Sequence, residues 1–211
     1  MKHLDLSLYL VLDPGLCAAF GMVETARAAV AGGAKIVQLR DKRADTAQMI
    51  KTGRALKAAL SGSGARLIVN DDVEAAIAIG ADGLHVGQED MDAPTARARI
   101  GPDMILGLSV ETEALAAAVD PEIVDYAGIG PVFATPTKAD HKEPIGFAGL
   151  ARLVRICPVP SVAIGGLKAV HVGDVFTAGA DGLAVVSAIC GAPDPEAATR
   201  QFAKNIKRVY G

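Results

Sequence analysis

The chain has 211 residues, of which 51% are hydrophobic, and its 21 basic residues against 24 acidic ones leave a net charge of −3. This balance argues against a generally basic nucleic-acid-binding protein, and an aromatic content of 4% without tryptophan argues against a stacking surface for single strands. We therefore expect no nucleic-acid partner. No apolar stretch approaches the roughly 20 residues that cross a bilayer, so we expect no membrane partner either.

The first apolar run, Leu6–Leu12, predicts a buried strand rather than a signal segment. Acidic residues flank the run, and no convincing small-residue cleavage site follows it. The cysteines are widely spaced and form no metal-binding pattern; they are Cys17, Cys157 and Cys190. We expect them to be reduced core residues of a cytoplasmic protein.

Apolar runs alternate with Ala- and Leu-rich stretches along the chain. The runs predict strands over Leu6–Asp13, Lys35–Arg40, Arg66–Asn70, Gly83–Val86, Met104–Val110, Tyr126–Gly130, Ser161–Ile164 and Gly182–Ser187. The other stretches predict helices over Val23–Ala31, Thr46–Leu60, Val73–Ile79, Ala93–Ile100, Glu111–Val119, Phe147–Ile156, Ala169–Ala178 and Asp194–Tyr210. Continuously apolar strands are typical of a parallel sheet that is buried on both faces. Eight strand–helix units of about 26 residues favour an α/β fold, a compact (β/α)8 TIM barrel with residues 1–211 as its single domain.

Glycines at three similar junctions support this order of elements. Gly33, Gly80 and Gly179 each follow a predicted helix and precede a strand, where the left-handed backbone conformation favours glycine. No GxGxxG segment follows a strand, which argues against a dinucleotide-binding sheet.

A barrel of this kind carries its active site at the carboxyl ends of its strands. Gln38, Arg40 and Lys42 follow one another at alternate positions after the second strand, so an extended segment points them to one side. Neighbouring carboxylates could satisfy the two cations in a structural ion network. Alternatively, the cations bind a polyanion, since Arg and Lys together suit phosphate oxygens.

Acidic residues follow the next two strands. Asp71 and Asp72 directly follow the third strand, where we expect Asp72 to cap the following helix and Asp71 to lie near the barrel mouth. Asp90 lies in the acidic turn after the fourth strand. Carboxylates from two adjacent loops, facing cations, suit Mg²⁺ that is shared with phosphate oxygens. A single histidine on that fourth strand, His85, is expected to have a structural role.

The residues that follow the seventh and eighth predicted strands indicate a second anion site, which carries no charged side chain. Gly166 follows the seventh strand and Ser187 ends the eighth, which permits close approach of the backbone to a phosphate. The connection Thr135–Gly146 after the sixth strand is long and rich in hydroxyls and charges, as is typical of a lid. Together the two regions indicate an enzyme that acts on phosphorylated small molecules.

With these motifs in this order, nearly the whole chain resembles the thiamine phosphate synthase family. The matching stretches are Gln38–Lys42, Asn70–Asp71, Gly83–Asp90, Gly130–Lys138, Ala163–Gly166 and Val185–Ser187. The resemblance implies a transferase that joins 4-amino-2-methyl-5-hydroxymethylpyrimidine diphosphate to a thiazole phosphate and releases pyrophosphate. It also implies a dissociative, Mg²⁺-assisted mechanism without a protein nucleophile.

The same resemblance implies roles for individual residues. The pyrimidine diphosphate would be held by Gln38, Arg40, Lys42, Asn70, Ser109 and Lys138. The thiazole phosphate would be held by Thr135, Thr137, Gly166, Val186 and Ser187. Asp71 and Asp90 would bind Mg²⁺. The residues that neutralise the leaving charge, and are therefore catalytic, would be Arg40, Lys42 and Lys138.

Two alternatives compete with this interpretation. A related thiazole tautomerase keeps the phosphate site without the diphosphate site, but Glu111 lies in the segment where that relative's catalytic histidine is expected. The other alternative is a non-catalytic sensor of a phosphorylated ligand or another phosphate-sugar barrel enzyme. Oligomeric state is left open by the sequence.

Overall fold

A closed barrel of parallel strands forms the centre of the molecule. The computed structural model describes residues 4–135 and 143–210, and within them the strands pair in chain order, with the last strand returning to the first. The strands are β1 (Leu8–Val11), β2 (Ile36–Leu39), β3 (Arg66–Asn70), β4 (Gly83–Val86), β5 (Ile105–Val110), β6 (Tyr126–Ile129), β7 (Ser161–Ile164) and β8 (Gly182–Val185). The predicted (β/α)8 barrel is confirmed.

Helices surround the barrel. They are α1 (Met22–Gly32), α2 (Thr46–Leu60), α3 (Val73–Ile79), α4 (Ala93–Ile100), α5 (Glu113–Ala117), α6 (Gly146–Ile156), α7 (Val172–Thr177), α8 (Ser187–Cys190) and α9 (Pro195–Tyr210). A 3₁₀ turn, Ala169–His171, precedes α7 within the predicted helix Ala169–Ala178. No helix in the described ranges is both long enough and apolar enough for a bilayer crossing.

Several predicted boundaries differ from the structure. The first predicted strand, Leu6–Asp13, is trimmed at both ends, and the fifth predicted helix starts late because Thr112 caps it, accepting a hydrogen bond from the Leu115 amide at 3.2 Å. The eighth predicted strand extends too far. It ends at Val185, and Ser187 is the first residue of α8, a helix too short to show helical periodicity in the sequence.

The caps and turns follow the predicted chemistry. The side chain of Asp72 accepts a hydrogen bond from the Ala75 amide at 2.8 Å and caps α3, as predicted. Gly33, Gly80 and Gly179 have φ values of 117°, 63° and 93°, so each adopts the left-handed conformation expected there. These turns deliver each following strand to the sheet.

Alternate side chains of each strand divide the core into two layers. Tyr9 and Val11 of β1 point into the barrel, whereas Leu8 and Leu10 pack between the barrel and the helices. The ring of helices closes where α1 meets α9. A Cβ atom added at Gly32 would lie only 2.6 Å from the backbone oxygen of Glu196, so the two helices approach closely at this glycine.

Candidate active site

A cavity of about 180 Å³ opens where the strands end in the carboxyl direction. Its lining contains the predicted site residues that the structure describes: Gln38, Arg40, Lys42, Asn70, Asp71, Asp90, Ser109, Thr135, Gly166, Val186 and Ser187. Thr137 and Lys138 lie outside the described residues, as does most of the predicted lid Thr135–Gly146. The fold thus brings both predicted anion regions to one cavity, while the roles of these residues stay predictions.

One wall of the cavity is a compact charged cluster. The ammonium group of Lys42 donates a hydrogen bond to Asp71 Oδ2 and lies 3.9 Å from Asp90 Oδ1. The turn after β4 orients Asp90, because the Gly87 amide donates to its Oδ2 at 2.7 Å. Asp71 has a φ of 62°, and its own amide donates to the carbonyl of His85 at 2.9 Å. Two adjacent turns therefore place two carboxylates beside one lysine.

The two carboxyl groups of this cluster influence each other strongly. Burial raises the pKa of Asp71 to about 6, and a hydrogen bond with Asp90 adds to the rise while Lys42 opposes it. Burial also works against ionisation of Asp90, but the hydrogen bonds from Asp71 and the Gly87 amide, together with the charge of Lys42, hold its pKa below the usual range. Closely spaced carboxyl groups of this kind are a donor set that fits Mg²⁺, which binds one or two protein carboxylates together with substrate phosphates.

Among the described residues, Arg40 differs from its neighbour Lys42 in having no carboxylate partner. It lines the same cavity, and no ion pair links it to an acidic residue in ranges 4–135 and 143–210. The structural-network interpretation of the two cations therefore applies to Lys42 and not to Arg40. A guanidinium group that lines a cavity and has no ion-pair partner among the described residues is suited to an anionic ligand.

The opposite wall is neutral. Gly165 and Gly166 have φ values of 105° and 64°, and Val186 and Ser187 complete this wall. A Cβ atom at Gly166 would lie 2.8 Å from the Cβ of Phe133, so this glycine is also required by close packing of the segment that follows β6. Ser187 was predicted at the end of a strand, but it starts α8 and still reaches the cavity.

The floor of the cavity is a continuous chain of buried hydrogen bonds, which we call the relay. Gln38 Nε2 donates to the Tyr9 hydroxyl at 2.7 Å, and the Tyr9 and Tyr126 hydroxyls are 2.8 Å apart. His85 Nδ1 lies 3.0 Å from the Tyr126 hydroxyl, and His85 Nε2 lies 3.0 Å from Ser109 Oγ. Burial raises the pKa of both phenols well above the ordinary value, so both are neutral. Both ring nitrogens of His85 have hydrogen-bond partners, as expected of a structural histidine.

The two tyrosines of the relay were not predicted from the sequence. One signal was available: the chain has only three tyrosines, and two of them lie in apolar strands, where a buried hydroxyl needs a partner. Two glycines make room for the relay. A Cβ atom at Gly107 would lie 2.3 Å from the Tyr126 ring, and one at Gly128 would lie 3.2 Å from the His85 ring.

The chain was compared with known protein families and with individual known proteins. A family model described as thiamine monophosphate synthase matches residues 8–189, which include all eight strands and every described residue of the cavity lining. The chain belongs to this family. The resemblance inferred from the sequence motifs is therefore confirmed.

Individual members of the thiamine monophosphate synthase family match over almost their full length. The chain is 54% identical over 199 residues to thiamine-phosphate synthase from Xanthobacter autotrophicus, covering 94% of each chain. It is 48% identical over 202 residues to thiamine-phosphate synthase from Laribacter hongkongensis, covering 95% of each. Among solved structures, thiamine phosphate pyrophosphorylase from Pyrococcus furiosus superposes with a TM-score of 0.89 at 36% identity, covering 98% of both chains.

Proposed function

We propose that this chain is a transferase of thiamine biosynthesis. It joins 4-amino-2-methyl-5-hydroxymethylpyrimidine diphosphate to a thiazole phosphate, giving thiamine phosphate and pyrophosphate. Membership of the thiamine monophosphate synthase family supports this reaction. The structural observation that carries it is the position of Arg40, without a carboxylate partner among the described residues, beside the Lys42–Asp71–Asp90 cluster in one cavity.

The proposed reaction needs charge neutralisation rather than a nucleophile. The bond between the pyrimidine methylene carbon and the diphosphate oxygen breaks, and its electron pair leaves with pyrophosphate. The amino-substituted ring stabilises the resulting methylene cation until the thiazole nitrogen donates its lone pair to form the new C–N bond. Arg40 and Lys42 neutralise the charge that develops on the departing diphosphate. Mg²⁺ held by Asp71 and Asp90 would supply further neutralisation of that charge.

The thiazole phosphate is proposed to bind at the neutral wall. Backbone N–H groups near Gly166 and Val186, with the Ser187 hydroxyl, are the donors that a monophosphate needs. Apolar residues of the lining, among them Ile164 and Leu167, limit the access of water to the reacting carbon. The further ligands Thr137 and Lys138 are proposed from the family resemblance.

The proposed partners of the chain are these two small molecules. We also propose a cytoplasmic location. It is supported by the free thiols of Cys17, Cys157 and Cys190, because a reducing compartment keeps cysteines in this state.

A pyrophosphate-release assay tests the proposed function. Purified protein with both substrates and Mg²⁺ is expected to release one pyrophosphate for each thiamine phosphate formed, and neither substrate alone gives release. Chelation of Mg²⁺ should stop turnover, and added Mg²⁺ should restore it. Isomerisation of a thiazole phosphate without pyrophosphate release would instead indicate a tautomerase. Binding of both ligands without turnover would indicate a sensor.

A further inference from the structure

The relay crosses the barrel and ends at the cavity on both sides. Its members come from five strands: Gln38 from β2, Tyr9 from β1, Tyr126 from β6, His85 from β4 and Ser109 from β5. Tyr9 and Tyr126 are each at most 1% exposed. Buried hydroxyl groups require hydrogen-bond partners, so the orientation of each proton in the relay is constrained by its neighbours.

The protons of the relay can be assigned by following each donor to an acceptor. Gln38 donates to Tyr9, whose single hydroxyl proton is then available for the Tyr126 oxygen. Tyr126 in turn donates to His85 Nδ1, so an imidazole ring with one ring proton carries it on Nε2, facing Ser109 Oγ. If the relay donated in the opposite direction, the Tyr9 oxygen would accept from both Gln38 and Tyr126. The hydroxyl proton of Tyr9 would then have no acceptor among the described residues. With Gln38 Nε2 facing the Tyr9 hydroxyl, only the first direction satisfies every buried proton.

We propose that Tyr9, Tyr126 and His85 are positioning residues that set the hydrogen-bonding direction at both ends of the relay. Because Ser109 Oγ accepts from His85, its own proton is directed to the cavity. Because Gln38 gives one amide proton to Tyr9, its carbonyl oxygen and second amide proton remain for a ligand. This pair of groups matches the neighbouring amino group and ring nitrogen of an aminopyrimidine, so the proposal rests on the proposed function.

The tautomer of His85 tests the proposal without any substrate. In ¹⁵N NMR spectra of the full chain, the His85 ring is expected to be protonated at Nε2 and unprotonated at Nδ1, with the signal assigned from its loss in His85→Gln. In Tyr126→Phe, the donor to Nδ1 is absent and the second tautomer should become populated. A wild-type His85 protonated at Nδ1 overturns the proposed direction.

A double-mutant cycle tests the effect of the relay on the reaction. Tyr126→Phe should lower kcat/KM for the pyrimidine diphosphate roughly tenfold, the equivalent of one hydrogen bond, and leave the KM for thiazole phosphate unchanged. In a Ser109→Ala background, the same substitution should have a clearly smaller effect, because only its action through the Gln38 end of the relay remains. Equal effects in both backgrounds overturn the relay's action through Ser109.

Two histidine variants and one control sharpen this result. The amide nitrogen of Gln in His85→Gln reaches the position of Nε2 and can still donate to Ser109, whereas the shorter side chain in His85→Asn cannot. We therefore expect His85→Gln to retain several-fold more activity than His85→Asn. Thr199→Val removes an equally buried hydroxyl, which donates to the Pro195 carbonyl at 2.7 Å far from the cavity. It should lower thermal stability and leave all kinetic constants unchanged.

The outcomes separate the two proposals. Wild-type protein that releases no pyrophosphate overturns the proposed function, while the NMR result still decides the relay. Wild-type protein that turns over, with additive effects in the cycle or with His85→Asn as active as His85→Gln, overturns the relay's action through Ser109 and leaves the proposed function standing.

Discussion

Asp71 binds its proton more tightly in the folded protein than in the unfolded chain. Its pKa is raised from an ordinary 3.8 to about 6, first by burial and then by the neighbouring Asp90. A carboxyl group with a raised pKa contributes least to stability when it is ionised. The folded state therefore loses stability as pH rises from about 4 through 6, and the full penalty is present above pH 6.

Replacing Asp71 with Asn should remove this penalty. In metal-free protein, Asp71→Asn is expected to raise the free energy of unfolding by about 1 kcal/mol at pH 8, less than the whole shift implies, because Lys42 loses a partner. The advantage should vanish near pH 4, where the wild-type carboxyl is protonated in the folded state. Thermal denaturation at the two pH values measures it. A variant that is less stable at pH 8 would mean that the Lys42 ion pair outweighs the repulsion.

Asp90 is expected to be needed for Mg²⁺ rather than for folding. Asp90→Asn should lower turnover roughly 100-fold at ordinary Mg²⁺ concentrations, with an unchanged Tm, because one anionic ligand of the ion is lost. Asp92→Asn is the matched control. Asp92 caps α4 from the same turn, and Asn caps helices as well as Asp does. Near-normal activity of Asp90→Asn would remove Asp90 from the metal site.

Arg40 and Ser187 should separate the two anion regions. Arg40→Ala is expected to weaken binding of the pyrimidine diphosphate more than tenfold and to leave thiazole phosphate binding nearly unchanged. Ser187→Glu places a negative charge where the thiazole phosphate is proposed to bind, at a cost of about 2–3 kcal/mol in a partly desolvated site. Calorimetric titration of each variant with each substrate separately measures both effects. Equal weakening of both ligands by Ser187→Glu would refute the two-site assignment.

At the scale of elements, β5 and β6 each have a glycine, Gly107 and Gly128, beside the rings of the relay. A methyl group at Gly107 would meet the rigid ring of Tyr126 at 2.3 Å and His85 Nδ1 at 2.5 Å. Gly107→Ala should therefore lower the free energy of unfolding by about 1–3 kcal/mol and impair activity as well. Gly128→Ala, with its nearest contact at 3.2 Å, needs only a small shift of His85 and is the control. Urea denaturation of the pair compares them, and equal stability would show that β5 can move away.

Most elements could be predicted because their signals are local. The cap at Asp72, the left-handed Gly80 and the continuous apolar strands each depend on a few adjacent residues. The start of α8 at Ser187 could not be predicted, because four residues carry no periodicity.

The pairing of residues from distant strands could be predicted only in part. The spacing of Arg40 and Lys42 predicted a shared side, but not that, among the described residues, Asp71 and Asp90 would pair with Lys42 and not with Arg40. Likewise, the bond between Tyr9 and Tyr126 joins residues 117 positions apart. The location of the candidate site follows from the fold class, whereas its internal hydrogen bonds follow only from three-dimensional packing.

At the scale of the whole molecule, the contact of α1 with α9 closes the helix ring. A methyl group at Gly32 would approach the Glu196 carbonyl oxygen at 2.6 Å and the Thr199 Cβ at 2.7 Å. Gly32→Ala should therefore destabilise the protein by about 1–3 kcal/mol without changing the KM for either substrate. Gly173→Ala in α7 meets nothing within 4 Å and should stabilise by about 0.5–1 kcal/mol through helix propensity. Calorimetric Tm values of the two variants test these opposite changes in stability. A stabilised Gly32→Ala would contradict such close packing of α1 against α9.

The pairing of β8 with β1 determines when the barrel can close during folding. Tyr9 is synthesised long before Ala184, yet the two residues stand opposite each other where β1 pairs with β8. A growing chain can pair β1 with β2 early, but the barrel closes only after β8 has emerged, since pairing across such a separation must overcome a large loop-closure entropy. The floor of the cavity, which needs Tyr9 from β1 and Tyr126 from β6, is complete only in the closed ring. A chain that ends before β8 therefore lacks the wall at Val186 and Ser187, and we expect the capacity to bind both ligands to arise only when the barrel closes.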